Sequence, residues 1–89
     1  MMAAPAMKAR VAEEEGVVYV LAAMRAHPMA TGVQLNATAV LKEFVSHPKT
    51  LEHLKRGNAR EVLSAATKNH PFNHDLIKLA EETIHYLPL

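Results

Sequence analysis

A shift of 43 residues lays the second half of this chain on its first half, and that register limits the possible folds more than any other feature. Ala22-Ala23 and His27-Pro28 return as Ala65-Ala66 and His70-Pro71, and Pro5 returns as Pro48. Apolar residues otherwise meet apolar ones: Val11 with Leu54, Val20 with Leu63, Val33 with Leu76, Ala37 with Ala80, Leu41 with Ile84 and Phe44 with Leu87. Arg25 meets Lys68. Three pairs break the pattern, namely Leu21 with Ser64, Met24 with Thr67 and Val40 with Thr83. A helical pattern with a period of about 40–47 residues reads as one structural unit used repeatedly.

Within each unit the spacing predicts three helices. Pro5 suits the first turn of a helix, where its missing N–H is not needed, and Met7 and Val11 share a face to about Glu14. Gly16 is expected to break that helix. A second follows to about Ala26, with Val17, Val20, Leu21 and Met24 on one face, and His27-Pro28 stops it. Thr31 and Gln34 have the spacing of a capping box, opening a third helix to about Val45 whose stripe is Val33, Ala37, Val40, Leu41 and Phe44. In the second unit Pro48 opens a short helix bearing Leu51 and Leu54, and Gly57 closes it. Asn58 is the expected N-cap of the next, with Glu61 reaching back and Val62, Leu63 and Ala66 buried. Asn73 caps the last helix, Asp75 complements its dipole, and Leu76, Ala80, Ile84 and Leu87 form its stripe.

Bulk properties narrow the partners. Eighty-nine residues make one small domain, 49% apolar and only 4% aromatic, which favours helices packed through aliphatic side chains over a sandwich of strands. A net charge of +1 gives no long-range pull toward nucleic acid or an anionic membrane. With no cysteine there is no disulfide, no thiolate zinc ligand and no thiol nucleophile, so an intracellular, cytoplasmic (or nuclear) setting is expected. No apolar run approaches the roughly 20 residues needed to span a bilayer. Residues 1–15 carry no continuous hydrophobic segment, so no secretory signal is expected.

Lys8 to Glu13, followed by Gly16 to Pro28 and then by Val33-Gln34 with Ala37, Leu41 and Phe44, resembles one unit of the armadillo family. The resemblance spans roughly residues 5–87 and is looser in the second unit. It implies an all-α fold, an armadillo-like α-α superhelix (a right-handed helical solenoid) of about six helices in two three-helix repeats. One domain over residues 1–89 would divide into repeats 5–47 and 48–89. The family resemblance also implies a protein–protein interaction or scaffolding module without enzymatic activity or cofactor. Third helices of such proteins line a groove in which a recurring Asn grips an extended peptide. Here Glu43 and Tyr86 stand in that place, and Asn36 lies two turns earlier. The implied groove residues are Asn36, Ala39, Glu43, Leu79, Glu82 and Tyr86. An alternative is a small regulatory or assembly subunit that self-associates through exposed repeat ends. Met7 and Val11 would serve at one end, and Leu79, Tyr86, Leu87 and Leu89 at the other.

Other chemistries find little support. The three glycines are scattered, so no phosphate-cradling loop is expected, and Ser46 and Ser64 lack an activating motif. Of the six histidines, His27 and His70 precede prolines at helix ends, where an imidazole can serve the last carbonyls. His47 and His53 lack partners at zinc-ligand spacing, and Pro71 separates His70 from His74, so no metal site is expected. Lys49, Lys55, Arg56, Arg60 and Lys68 form a mildly basic stretch without interleaved aromatics, which leaves nucleic-acid binding as a weak third reading.

Overall fold

The computed structural model describes residues 5–87, with side chains from Glu15 onward. Five helices occupy this span: α1 (Pro5–Ala26), α2 (Thr31–Phe44), α3 (Pro48–Arg56), α4 (Ala59–Asn69) and α5 (His74–Tyr86). No strand occurs among the described residues. The helix bounds keep the 43-residue register: Pro5 and Pro48 start helices, Ala26 and Asn69 end them, and Thr31 and His74 start the last of each half.

One expected break is absent. Helix α1 runs through Gly16, so the described chain has five helices where six were expected. A glycine inside a helix costs about 1 kcal/mol relative to alanine, which weakens a helix without ending it. The second half breaks at Gly57-Asn58, where Asn58 adopts the left-handed conformation at φ 56°. The residues 43 earlier are Glu14 and Glu15, good helix formers, and the backbone stays helical there. Gly57 itself has an ordinary φ of −84°. Its role is steric: a Cβ on Gly57 would lie 2.5 Å from Leu21 Cδ1 and 3.3 Å from the His53 carbonyl oxygen. Helix α1 therefore packs directly onto the α3–α4 corner.

The expected capping box at Thr31 does not form. The N-cap of α2 is Ala30, without a side-chain cap. The Gln34 side chain is instead buried and turns back to α1, where Nε2 donates to the carbonyls of Met24 and His27, both at 2.9 Å. Pro28 explains this, because it lacks the N–H that would have served the Met24 carbonyl. His27 was expected to serve those carbonyls with its imidazole; its side chain is exposed and Gln34 takes that part. Asn73 does cap α5, its Oδ1 accepting from the Leu76 N–H at 3.0 Å.

The core gathers Val17, Leu21 and Met24 of α1, Ala37 and Leu41 of α2, Leu54 of α3, Val62, Leu63 and Ala66 of α4, and Leu76 and Ala80 of α5. The broadest interhelical contact is α2 against α5, followed by α1 on α2 and α4 on α5. Thr38 and Thr83 are buried among these residues, each hydroxyl donating to the carbonyl four residues back, on Gln34 and Leu79 respectively, at 2.7 Å. Val40 was expected in the buried stripe of α2 but is exposed, while Gln34 and Thr38 are buried on that helix. Among the described residues no buried side-chain polar atom lacks a partner.

Candidate functional site

Helices α2 and α5 lie side by side, and the groove residues implied by the sequence resemblance fall on them. Asn36, Ala39 and Glu43 are exposed at i, i+3 and i+7 of α2, on the face opposite Ala37 and Leu41. On α5, Tyr86 is 61% exposed, whereas Leu79 and Glu82 are half-buried. The six residues thus divide into four open to solvent and two partly covered. Leu87, expected at an exposed end, is 6% exposed and belongs to the core. Met7, Val11 and Leu89 lie outside the residues whose side chains are described.

Glu82 is not free. The Lys42 ammonium of α2 donates to its Oε2, forming an ion pair across the α2–α5 seam. The hydrogen bond from Lys42 is the main reason the Glu82 carboxyl sits below the usual glutamate range. The charges of Lys42 and Lys78 act in the same direction, and desolvation opposes them. Around this pair run two shallow depressions, one lined by Lys42, Glu81, Glu82, His85 and Tyr86, the other by Lys42, Val45, Ser46 and Tyr86. Lys42 and Tyr86 are common to both. The Tyr86 ring meets His85 edge-on, with centroids 5.6 Å apart and an interplanar angle of 80°. This arrangement offers an aromatic face, a phenolic hydroxyl and a partly satisfied ammonium, which suits recognition of a polypeptide surface.

No protein-family model, no curated protein and no solved structure matches this chain.

Sequence reasoning missed Lys42. It pairs with Glu82 at a separation of 40 residues, outside the 43-residue register, so the translation that aligns the helices does not bring the two together. The histidines also distribute unexpectedly. In its neutral form the His70 ring donates from Nε2 to the Pro28 carbonyl at 2.9 Å and accepts at Nδ1 from the Thr31 hydroxyl at 3.3 Å. It thereby joins the α4–α5 turn to the α1–α2 turn. Beside it, Met29 and Phe72 stand 43 residues apart in the corresponding turns, exposed by 66% and 88%. Among the described residues no three His, Cys, Asp or Glu side chains come close enough to hold a metal ion.

The basic stretch is partly neutralised within itself. Glu52 lies 3.8 Å from both Lys55 Nζ and Arg56 Nε on α3. An open depression lined by Lys55, Arg60, Glu61, Ser64 and Leu87 adjoins it, with charges of both signs at its rim. Among the described residues no helix is long and apolar enough to cross a membrane.

Proposed function

We propose that this chain is a non-catalytic protein-binding module of armadillo type, a right-handed stack of two units covering residues 5–47 and 48–89. Its α2–α5 face takes a protein or peptide segment. The observation that carries this reading is the side-by-side packing of α2 and α5, which begin 43 residues apart and leave Asn36, Ala39, Glu43 and Tyr86 open. Two further features support it: the shared register of the helix bounds, and the concentration of recognition chemistry around Tyr86 and Lys42. Tyr86 supplies the anchor, since a large aromatic side chain with a polar tip contributes disproportionately to interfaces. Glu43 supplies a charge available to a partner, because Glu82 is already engaged by Lys42. The module acts by shape in the cytoplasm, without cofactor.

A displayed peptide library panned on the full chain tests this. Selected peptides should lose at least about tenfold in affinity on the double variant Glu43→Ala, Tyr86→Ala, as expected for loss of one anchor and one charge. Peptides that bind both proteins equally would overturn the reading.

A further inference from the structure

Where the two units meet, α1, α2 and α4 enclose an open-mouthed cavity of about 230 Å³. Met24 of α1 and Val62, Ala65 and Ala66 of α4 give it an apolar wall, and Gln34 of α2 lines it as well. Every lining residue lies between 24 and 69, so both units build the cavity. It shares no residue with the depressions around Tyr86.

Gln34 carries more hydrogen-bonding capacity than the fold uses. Both groups facing its amide nitrogen are carbonyls, so the orientation is fixed: Nε2 spends its two hydrogens on Met24 and His27, each at 2.9 Å. Those bonds account for the helix stop at Pro28. They leave Oε1, an acceptor with two lone pairs, without a hydrogen-bond partner among the described residues, on a side chain only 1% exposed. No fully enclosed side-chain polar atom there lacks a partner, so Oε1 keeps an opening, and the cavity is what Gln34 lines. A nearly buried amide with a spare acceptor at a cavity calls for a donor from outside the fold. The mouth supplies charge of both signs. Arg25 of α1 and Glu61 in the first turn of α4 are exposed there, and neither joins an ion pair among the described residues. Arg25 gives Nη2 to the Gly57 carbonyl and retains its other N–H groups.

We propose that this cavity binds a free aliphatic α-amino acid of the size of valine. The ligand ammonium donates to Gln34 Oε1 and to the Glu61 carboxylate, and the ligand carboxylate accepts from the remaining N–H groups of Arg25. Its side chain lies on Met24, Val62 and Ala66. Size and charge together select this class. A cavity smaller than the roughly 300–1,000 Å³ of drug-sized sites holds only a compact ligand. An amine alone would face the like charge of Arg25, and a carboxylate alone would face Glu61 and the acceptor Oε1. A zwitterion satisfies all of them. Because the walls come from both units, the ligand holds their junction together. The site goes beyond peptide recognition at the α2–α5 face and is independent of it.

Titration of the full isotope-labelled chain with L-valine, followed by NMR, is the test. Saturable shifts of the Gln34 side-chain amide and of Glu61 are expected below about 10 mM ligand, with a thermal midpoint that rises with ligand concentration. Isobutylamine and 3-methylbutanoate, which each keep one of the two charges, should bind at least about tenfold more weakly. Glu61→Gln should weaken L-valine by at least about tenfold. Ala65→Phe, which fills the cavity from its exposed wall, should abolish binding. Circular dichroism and cooperative unfolding should be preserved in both variants, and Tyr86→Ala should leave L-valine binding unchanged. No saturable shift up to about 10 mM overturns the proposal, and the cavity then holds water alone. Isobutylamine that binds as tightly as L-valine overturns it in favour of a simple cation site. Binding indifferent to both Glu61→Gln and Ala65→Phe overturns it as well. A chain that binds L-valine but no selected peptide refutes only the peptide-binding reading, and the reverse refutes this proposal alone.

Discussion

Arg25 Nη2 donates to the carbonyl of Gly57 at 2.7 Å, at the same corner where Leu21 leaves no space for a Cβ on that glycine. One turn of α1 thus both grips and fills the junction between α3 and α4, which makes the corner sensitive to a single methyl group.

Gly57→Ala should destabilise the fold by about 1–2 kcal/mol, because the buried Leu21 has little room to move away. Gly16→Ala should do the opposite and stabilise by about 0.5–1 kcal/mol, the ordinary gain for a helix interior. A Cβ there would sit 3.5 Å from Phe44 Cζ, which is normal contact. Urea unfolding of both variants, monitored by circular dichroism, checks the contrast. Equal effects of the same sign would contradict the packing described at Gly57.

Gln34→Leu should cost about 1–3 kcal/mol despite being nearly isosteric and apolar. The Met24 carbonyl would lose its Gln34 partner, since Pro28 has no N–H to replace it, whereas the His27 carbonyl would keep the Ala30 N–H at 3.2 Å. Denaturant midpoints report the loss, and an unchanged midpoint would mean that the carbonyl finds water.

The two asparagines that precede helices should respond differently. Asn73→Ala removes a real cap and should cost about 1 kcal/mol. Asn58 makes no side-chain cap bond but sits at φ 56°, so Asn58→Gly should be neutral or stabilising while Asn58→Ala costs about 1 kcal/mol. Thermal unfolding of the three variants orders them. A cost for Asn58→Gly equal to that of Asn73→Ala would contradict this assignment.

The Lys42–Glu82 pair carries a pH signature. The Glu82 pKa is lowered in the folded state, so its contribution to stability is present above the unfolded-state pKa of about 4.3 and is lost as pH falls through the folded value. A carboxyl-detected NMR titration should place the Glu82 midpoint below about 4.3, and Lys42→Ala should move it upward. No movement in that variant would show that the hydrogen bond from Lys42 is not the cause.

Much of the architecture was legible because it depends on local chemistry. Pro5, Pro48, His27-Pro28 and His70-Pro71 mark where helices start and stop, and those signals act within a few residues of chain. The same locality explains Asn73 and its cap. Gly16 alone does not break α1, because Glu14-Glu15, good helix formers, stand where Gly57-Asn58 make the corner in the second half. For the candidate site, the positions on α2 and α5 followed from helical spacing. The occupancy of Glu82 by Lys42 did not, because no spacing rule links residues 40 apart on neighbouring helices.

The amino-acid sequence by itself determined where the helices lie and that they recur with a 43-residue period, since propensity, prolines and caps operate along the chain. Only the tertiary structure decided which face of each helix is covered. Tyr19 and Val62 occupy the same position of the repeat, yet one is 76% exposed and the other is buried. Burial depends on what stands next to a unit in space, and the first and second units have their neighbour on opposite sides.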